Sequence, residues 1–190
     1  MFDRFGPQHW WPGRTRTEII IGAILTQNTN WENVKKAIAN LRRARMLTFK
    51  ALRDADEQAL AELIRPSGYF NMKARRLKNF VDFFYSEYRG SWKKFQSEPL
   101  DVLREKVLSV NGVGPETADS ILLYALDKPV FVIDAYTKRA LSRHGMISLD
   151  DDYHAVQALF MDHIAPDVPF FNEYHALFVR LAKEHCRTKP

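Results

Sequence analysis

The sequence predicts an all-α protein, and three observations carry that expectation. Apolar residues recur at steps of three and four through most of the chain, no alternating run is long enough to build a sheet, and Gly, Pro, Asp or Asn stands at most joints between the periodic stretches. With 190 residues and 46% hydrophobic content, the chain is large enough to bury a sizeable core.

Taken in order, the first two helices lie within 17–43. Residues 18–25 are apolar nearly all round, which marks a helix buried in the core. After Asn28-Thr29-Asn30, the residues Trp31, Val34, Ala37, Ile38 and Leu41 fall on one stripe. Asn71 stands where it can cap a third helix, with Ala74, Leu77, Val81, Phe84 and Tyr88 as its packing face and Lys73, Arg75, Arg76 and Lys78 making the other face basic. Helical patterns also fit 100–110, 115–126, 135–144, 153–164 and 172–185. Residues 130–133, after Pro129, read as a short apolar connector, and the chain has no low-complexity segment or solenoid repeat.

Composition excludes several classes. No stretch approaches the roughly eighteen consecutive apolar residues of a membrane span, and Met1-Phe2-Asp3-Arg4-Phe5 lacks the layout of a signal peptide, so a cytoplasmic protein with no membrane partner is expected. The single cysteine, Cys186, excludes an internal disulfide framework and any four-cysteine metal or iron-sulfur site within this chain, and reads as a packed thiol. The 28 Lys and Arg against 23 Asp and Glu leave a formal charge of +5, which suits an anionic partner without selecting one.

The most informative stretch is 107–143, VLSVNGVGPETADSILLYALDKPVFVIDAYTKRALSR: a helix end, a Gly-Val-Gly turn, a Pro-started helix and an Asp-started helix. Gly112 and Gly114 permit a tight turn, and Pro115 suits a first helical position, so the N–H groups there can face a phosphate. The same turn also serves simply to join two packed helices, and the glycines alone do not choose between these readings. Asp134 is well placed as the N-cap of the following helix, with Thr137 at its third position. Backbone N–H donors there would hold its carboxylate ionised at neutral pH. Asp101, Asp119 and Asp150 to Asp152 read as solvent-facing caps.

A Gly-x-Gly hairpin followed about twenty residues later by a helix-opening Asp resembles the endonuclease III-like helix-hairpin-helix DNA glycosylase superfamily. Ile24-Leu25-Thr26-Gln27-Asn28-Thr29 is similar to the family's helix end, whose Gln fills the space of an extruded nucleotide. Pro66-Ser67-Gly68-Tyr69-Phe70-Asn71-Met72-Lys73-Ala74 resembles its pre-hairpin segment. The resemblance implies two helical lobes, 17–133 with the hairpin and 1–16 plus 134–190, with the DNA and base site in the cleft between them. It implies that Asp134 is the catalytic carboxylate, stabilising the positive charge that grows on the deoxyribose as the C1′–N bond breaks or activating the incoming water. It also implies that Gln27, Asn28, Gly112, Val113, Gly114, Glu116, Thr117, Lys73, Arg75 and Arg76 meet the DNA.

Bifunctional members carry a Schiff-base Lys on the helix after the hairpin. Glu116 takes that place here, and a carboxylate forms no imine, so a monofunctional enzyme with water as nucleophile is expected. By itself Glu116 is an ordinary first-turn acid. Gln8-His9-Trp10-Trp11-Pro12 together with the 24–29 segment is similar to the 3-methyladenine DNA glycosylase III branch. That implies a base pocket walled by Trp10, Trp11, Pro12 and Trp31, with Lys183 near it. Stacking on indole would favour an electron-poor, cationic alkylated purine by about 0.5 to 2 kcal/mol. Without the resemblance, the two adjacent tryptophans read as pins for the N-terminal arm and Lys183 as a snorkelling surface residue.

The end of the chain, residues 181–190, resembles the point where many relatives begin a four-cysteine iron-sulfur loop. No cofactor is expected within this chain, and a cluster only if the native chain continues past Pro190. The expected partner is double-stranded DNA containing a damaged base, bound by a monomer in the nucleoid. Two alternatives share the motifs: an endonuclease III-like enzyme for oxidised pyrimidine, uracil or a mispaired base, and a non-enzymatic helix-hairpin-helix module that only grips the DNA backbone.

Overall fold

The computed structural model describes residues 1–187, and every regular element among them is helical. Thr188, Lys189 and Pro190, the end of the stretch compared with an iron-sulfur loop, lie outside the described residues. The chain divides into two compact units, Gly13–Ile121 and, drawn from both ends, Met1–Pro12 with Leu122–Pro190. The crossing falls inside a helix, some residues before the 133/134 boundary read from the sequence. The last turn of that helix carries Tyr124, whose ring packs on Trp11 and His175 of the terminal unit.

In the unit Gly13–Ile121, α2 (Arg16–Leu25) is capped by Thr15, whose hydroxyl accepts the Glu18 N–H at 3.1 Å. Its Ile20, Ile21, Ile24 and Leu25 are fully buried, as an all-round apolar helix must be. Asn30 caps α3 (Trp31–Arg43), which buries only the stripe Val34, Ala37, Ile38 and Leu41. Two short helices that the periodicity did not reveal follow, α4 (Phe49–Asp54) capped by Thr48 and α5 (Glu57–Leu63) capped by Asp56, then a 3₁₀ turn Arg65–Ser67.

The long α6 (Phe70–Tyr88) begins after Tyr69, which adopts a left-handed conformation and makes no side-chain cap; Asn71 lies inside the first turn and does not cap the helix. The short α7 (Trp92–Ser97), also unforeseen, adds Trp92 and Phe95 to Phe49, Phe80, Phe84 and Tyr88 from α4 and α6. Tilted and edge-to-face pairs in such a cluster each add about 0.5 to 1.5 kcal/mol beyond the area they bury. α8 (Leu100–Leu108) and α9 (Pro115–Leu126) flank the glycine turn. Asp119 corrects its sequence reading: it is fully buried on α9 and held by Nε and Nη2 of Arg104 at 2.7 and 3.0 Å, a pair whose breakage costs about 3 to 5 kcal/mol.

The terminal unit holds α1 (Phe2–Phe5), the end of α9, α10 (Ala135–Arg143), α11 (Tyr153–Met161) and α12 (Val168–Glu184). Asp152 and Asp167 cap α11 and α12, and α12 starts four residues earlier than its periodicity suggested because Asp167 and Pro169 form a regular N-terminus. The apolar connector before α10 is buried, Phe131 stacking on Phe160 at 3.9 Å and meeting Phe171 edge-on. Its backbone is satisfied from α11: the Gln157 amide donates to Phe131 O at 2.6 Å, and the Ile133 N–H donates to the Tyr153 hydroxyl at 3.3 Å. Cys186 is buried, as expected for a packed thiol.

Candidate active site

Asp134 follows this clamped connector directly, so its backbone position is fixed from two sides. It caps α10 from an extended conformation, Oδ1 accepting the Thr137 N–H at 2.7 Å, and its side chain is 13% exposed. Oδ2 lies 3.4 Å from Nε2 of His175, a residue of α12 only 3% exposed. That separation is an electrostatic contact rather than a well-formed hydrogen bond, and His175 Nε2 has no closer acceptor among the described residues. Burial pushes the Asp134 carboxyl up, while His175 and the Thr137 amide and hydroxyl pull it down further, leaving it below its ordinary value. The result is a largely buried carboxylate that stays ionised.

Behind His175 stands Tyr124, fully enclosed, whose hydroxyl is hydrogen-bonded to Nδ1. Burial first, and then the Asp134 charge, drive this phenol well above its ordinary value. The Trp10 indole N–H approaches the same hydroxyl without the alignment of a full hydrogen bond. Trp11 packs on Tyr124 at 5.1 Å and meets Trp10 edge-on at 5.5 Å. The N-terminal arm is held as well by the Gln8 N–H donating to Glu173 of α12 at 2.7 Å. Lys183 is exposed, with its ammonium over the rings of Trp10 at 5.7 Å and Tyr136 at 5.6 Å. Pro12 is exposed at the end of the arm. The structure therefore gathers Asp134, Trp10, Trp11 and Lys183 in one unit. Trp31, half-buried at the start of α3, belongs to the other.

That other unit carries the glycine turn. Gly112 has a φ of +91°, and a Cβ there would stand 2.3 Å from Cγ of Arg76, so both backbone and neighbour demand glycine. Gly114 is exposed with open space around it, and its carbonyl accepts the Ala118 N–H to start α9. Helix geometry leaves the N–H groups of the first turn, at Glu116 and Thr117, without an intrahelical acceptor, and the exposed Glu116 side chain sits there. Val113 is different. Its side chain is buried and its N–H donates to Val110 O at 3.0 Å, so neither faces outward as a DNA contact would.

Gln27 is tied into this turn. Its Nε2 donates to Gly112 O at 3.0 Å and Thr117 Oγ1 at 2.9 Å, and its Oε1 accepts from Arg76. In this state the carboxamide braces the hairpin from within the unit, while Asn28 beside it is exposed in a left-handed conformation. Arg75 is exposed and pairs with Glu57. Lys73 departs from the expected basic face: it is 1% exposed and donates to Leu25 O at 2.9 Å and Ser67 O at 2.6 Å. It closes the C-terminus of α2 instead of meeting DNA, and burial, then Arg76, lower its amine to about 8.

Sequence reasoning missed Tyr124, Thr137's hydroxyl and His175. One signal was legible for His175: it shares the buried stripe of α12 with Phe171, Phe178 and Ala182, where a polar residue asks for a partner. Tyr69 and Met72 stand 64% and 45% exposed beside the start of α6.

The model of the HhH-GPD superfamily base excision DNA repair protein matches residues 21–166. A predicted DNA repair glycosylase of Methanocaldococcus jannaschii is 47% identical over 191 residues, spanning 100% of this chain and 86% of the relative. The crystal structure of H. pylori 3-methyladenine DNA glycosylase bound to 1,N6-ethenoadenine is 30% identical with a TM-score of 0.80, covering 95% of this chain and 91% of that one. A non-covalent endonuclease III-DNA complex superposes with a TM-score of 0.83 over 100% of this chain and 84% of that one, at 21% identity, a likeness of fold.

Proposed function

Because the chain belongs to the HhH-GPD superfamily of base excision DNA repair proteins and is a DNA glycosylase of that superfamily, we propose that it hydrolyses the N-glycosidic bond of an alkylated purine, monofunctionally, with Asp134 as the catalytic carboxylate. The observation that carries this reading is the largely buried Asp134 carboxyl at a helix start, its Oδ1 held by the Thr137 N–H at 2.7 Å and its Oδ2 3.4 Å from His175.

In the reaction, the C1′–N bond of the flipped nucleotide breaks with its electron pair leaving on the base. The sugar takes on oxocarbenium character, a water oxygen bonds to C1′, and the water's proton is taken up by the carboxylate or the departing base. Asp134 offers a fixed negative charge to the sugar at the moment its charge grows. The Thr137 N–H holds one oxygen in place, so little reorganisation accompanies the step. Water is the nucleophile because the first turn after the hairpin presents Glu116, which forms no imine. Lys138 is engaged as well, its ammonium donating to Asp151 O at 2.5 Å.

Support for an alkylated purine comes from the similarity to the H. pylori 3-methyladenine glycosylase and from the indoles of Trp10 and Trp11 in the same unit as Asp134. An alkylated purine is a good leaving group, so one carboxylate and a stacking surface suffice. The test is a panel of duplexes carrying single lesions, scored for base release with and without alkaline cleavage and for borohydride trapping. Release of 3-methyladenine, strands intact until alkali, and no trapped adduct are expected. Release of uracil or oxidised pyrimidines with methylated purines untouched overturns the substrate, and efficient trapping overturns the monofunctional reading.

A further inference from the structure

We infer that His175 is a positioning residue for Asp134, its ring oriented by Tyr124 so that Nε2–H is presented to the free oxygen of the carboxylate. The inference rests on the reading of Asp134 as the carboxylate of the reaction.

Among the described residues, the buried polar atoms of the terminal unit without a well-formed partner include the Trp10 Nε1, the Thr137 Oγ1 and the His175 Nε2. Unpartnered buried atoms of this kind are uncommon and call for an explanation. All three lie along one path, from Trp10 through Tyr124 and His175 to the carboxylate that Thr137 also faces.

The direction of the path follows from which groups can donate. The Trp10 indole N–H is a donor only, so it approaches the Tyr124 oxygen as an acceptor. In the inferred arrangement Tyr124 gives its own proton to Nδ1 of His175. With Nδ1 accepting, the ring carries its hydrogen on Nε2, which faces Oδ2 of Asp134 at 3.4 Å. Thr137 holds Oδ1 and His175 faces Oδ2, so each carboxylate oxygen has a group directed at it.

The ionisable groups facing His175 are Tyr124 from α9 and Asp134 at the start of α10. On α12 itself, Glu173 accepts from the Gln8 backbone and Lys183 lies over Trp10 and Tyr136. The Phe131 ring meets His175 edge-on at 6.3 Å. His175 is the largest of the influences that offset the desolvation pushing the carboxyl up, ahead of the Thr137 amide and hydroxyl, so removing it leaves Asp134 less acidic.

The test replaces His175 by Leu and by Gln, and Tyr124 by Phe. Under single turnover, His175→Leu lowers the rate of base release by roughly tenfold or more, since small losses of alignment are costly, while its Kd for lesion DNA stays within about twofold. The acid limb of its pH-rate profile moves to higher pH. His175→Gln, which keeps an N–H donor, recovers part of the rate, and Tyr124→Phe shifts the profile in the same direction by less. A second measurement needs no turnover: the ¹³C titration of the Asp134 carboxyl in the folded, DNA-free protein, which moves upward in both His175→Leu and Tyr124→Phe. An unchanged carboxyl titration and acid limb in folded variants overturns the inference, even if stability falls. If His175→Leu does not fold, Tyr124→Phe decides by the same two readouts. Full activity of Asp134→Asn would overturn the reading of Asp134, while the ¹³C titration would still judge the His175 contact.

Discussion

The Thr137 N–H donates to Oδ1 of Asp134 at 2.7 Å, so one side chain both caps a helix and holds a buried negative charge. The two roles separate in Asp134→Asn. Asparagine caps a helix about as well as aspartate, so stability should change by less than about 1 kcal/mol. The anion that stabilises the developing sugar cation is lost, and base release should fall by roughly two to three decades or more while lesion-DNA binding is kept. Thermal melting with single-turnover kinetics checks both halves. Activity within a few-fold of wild type removes Asp134 from the chemistry.

The two glycines of the hairpin should respond differently to alanine. Gly112→Ala forces a Cβ into the left-handed region and against the Arg76 side chain that also braces Gln27, which should cost about 1 to 3 kcal/mol and weaken binding to undamaged duplex. Gly114→Ala enters open space without a positive φ and should stay within about 0.5 kcal/mol of wild type. Equal destabilisation by the two variants, measured by denaturant titration, would contradict this geometry.

Lys73→Met isolates the corrected lysine. It strips the donor from Leu25 O and Ser67 O and should destabilise by about 1 to 3 kcal/mol, whereas the salt dependence of DNA binding should keep its slope, which a lost phosphate contact would reduce by about one. The amine's value falls from 10.5 unfolded to about 8 folded, so between these values the unfolded chain binds more protons and this group's contribution to stability rises with pH. In the methionine variant that rise disappears. A reduced salt slope with unchanged stability would return Lys73 to the DNA-facing surface.

How much was legible follows from the physics of each element. Long helices with a regular apolar stripe, such as α3 and α6, announce themselves. The six- and seven-residue α4, α5 and α7 complete less than two turns, so no period can be read from them, and only their Thr48, Asp56 and Ser91 caps were visible in principle. Lys73 was misread because its charge outweighed its phase: it lies on the buried series with Leu77, Phe80 and Phe84, four, seven and eleven residues on. Asp119 and His175 were also in buried phase, but their partners Arg104 and Asp134 stand on other helices, 15 and 41 residues away. The capping role of Asp134 was local and therefore readable; the path behind it through His175 and Tyr124 was tertiary and therefore hidden.

The tryptophans of the N-terminal arm carry the riskiest prediction. Flipping a base costs a few kcal/mol, and stacking on an aromatic ring returns about 1 to 3 kcal/mol, so one indole roughly offsets the cost. If Trp10 or Trp11 supplies that surface, its replacement by Ala should slow release of alkylated purine by about one to two decades, with a smaller effect on binding to undamaged duplex, where phosphate contacts dominate. Both rings also do structural work, Trp11 against Tyr124 and Trp10 beneath the Lys183 ammonium, so some loss of thermal stability accompanies either variant. The measurement that separates the roles is activity per folded molecule, obtained by scaling single-turnover rates to the folded fraction. A pure anchor lowers the melting temperature and leaves that figure at the wild-type value. A stacking surface lowers it for alkylated purines at a temperature where the variant is fully folded. If both alanine variants keep full activity per folded molecule, the arm is packing alone, and the base is held elsewhere.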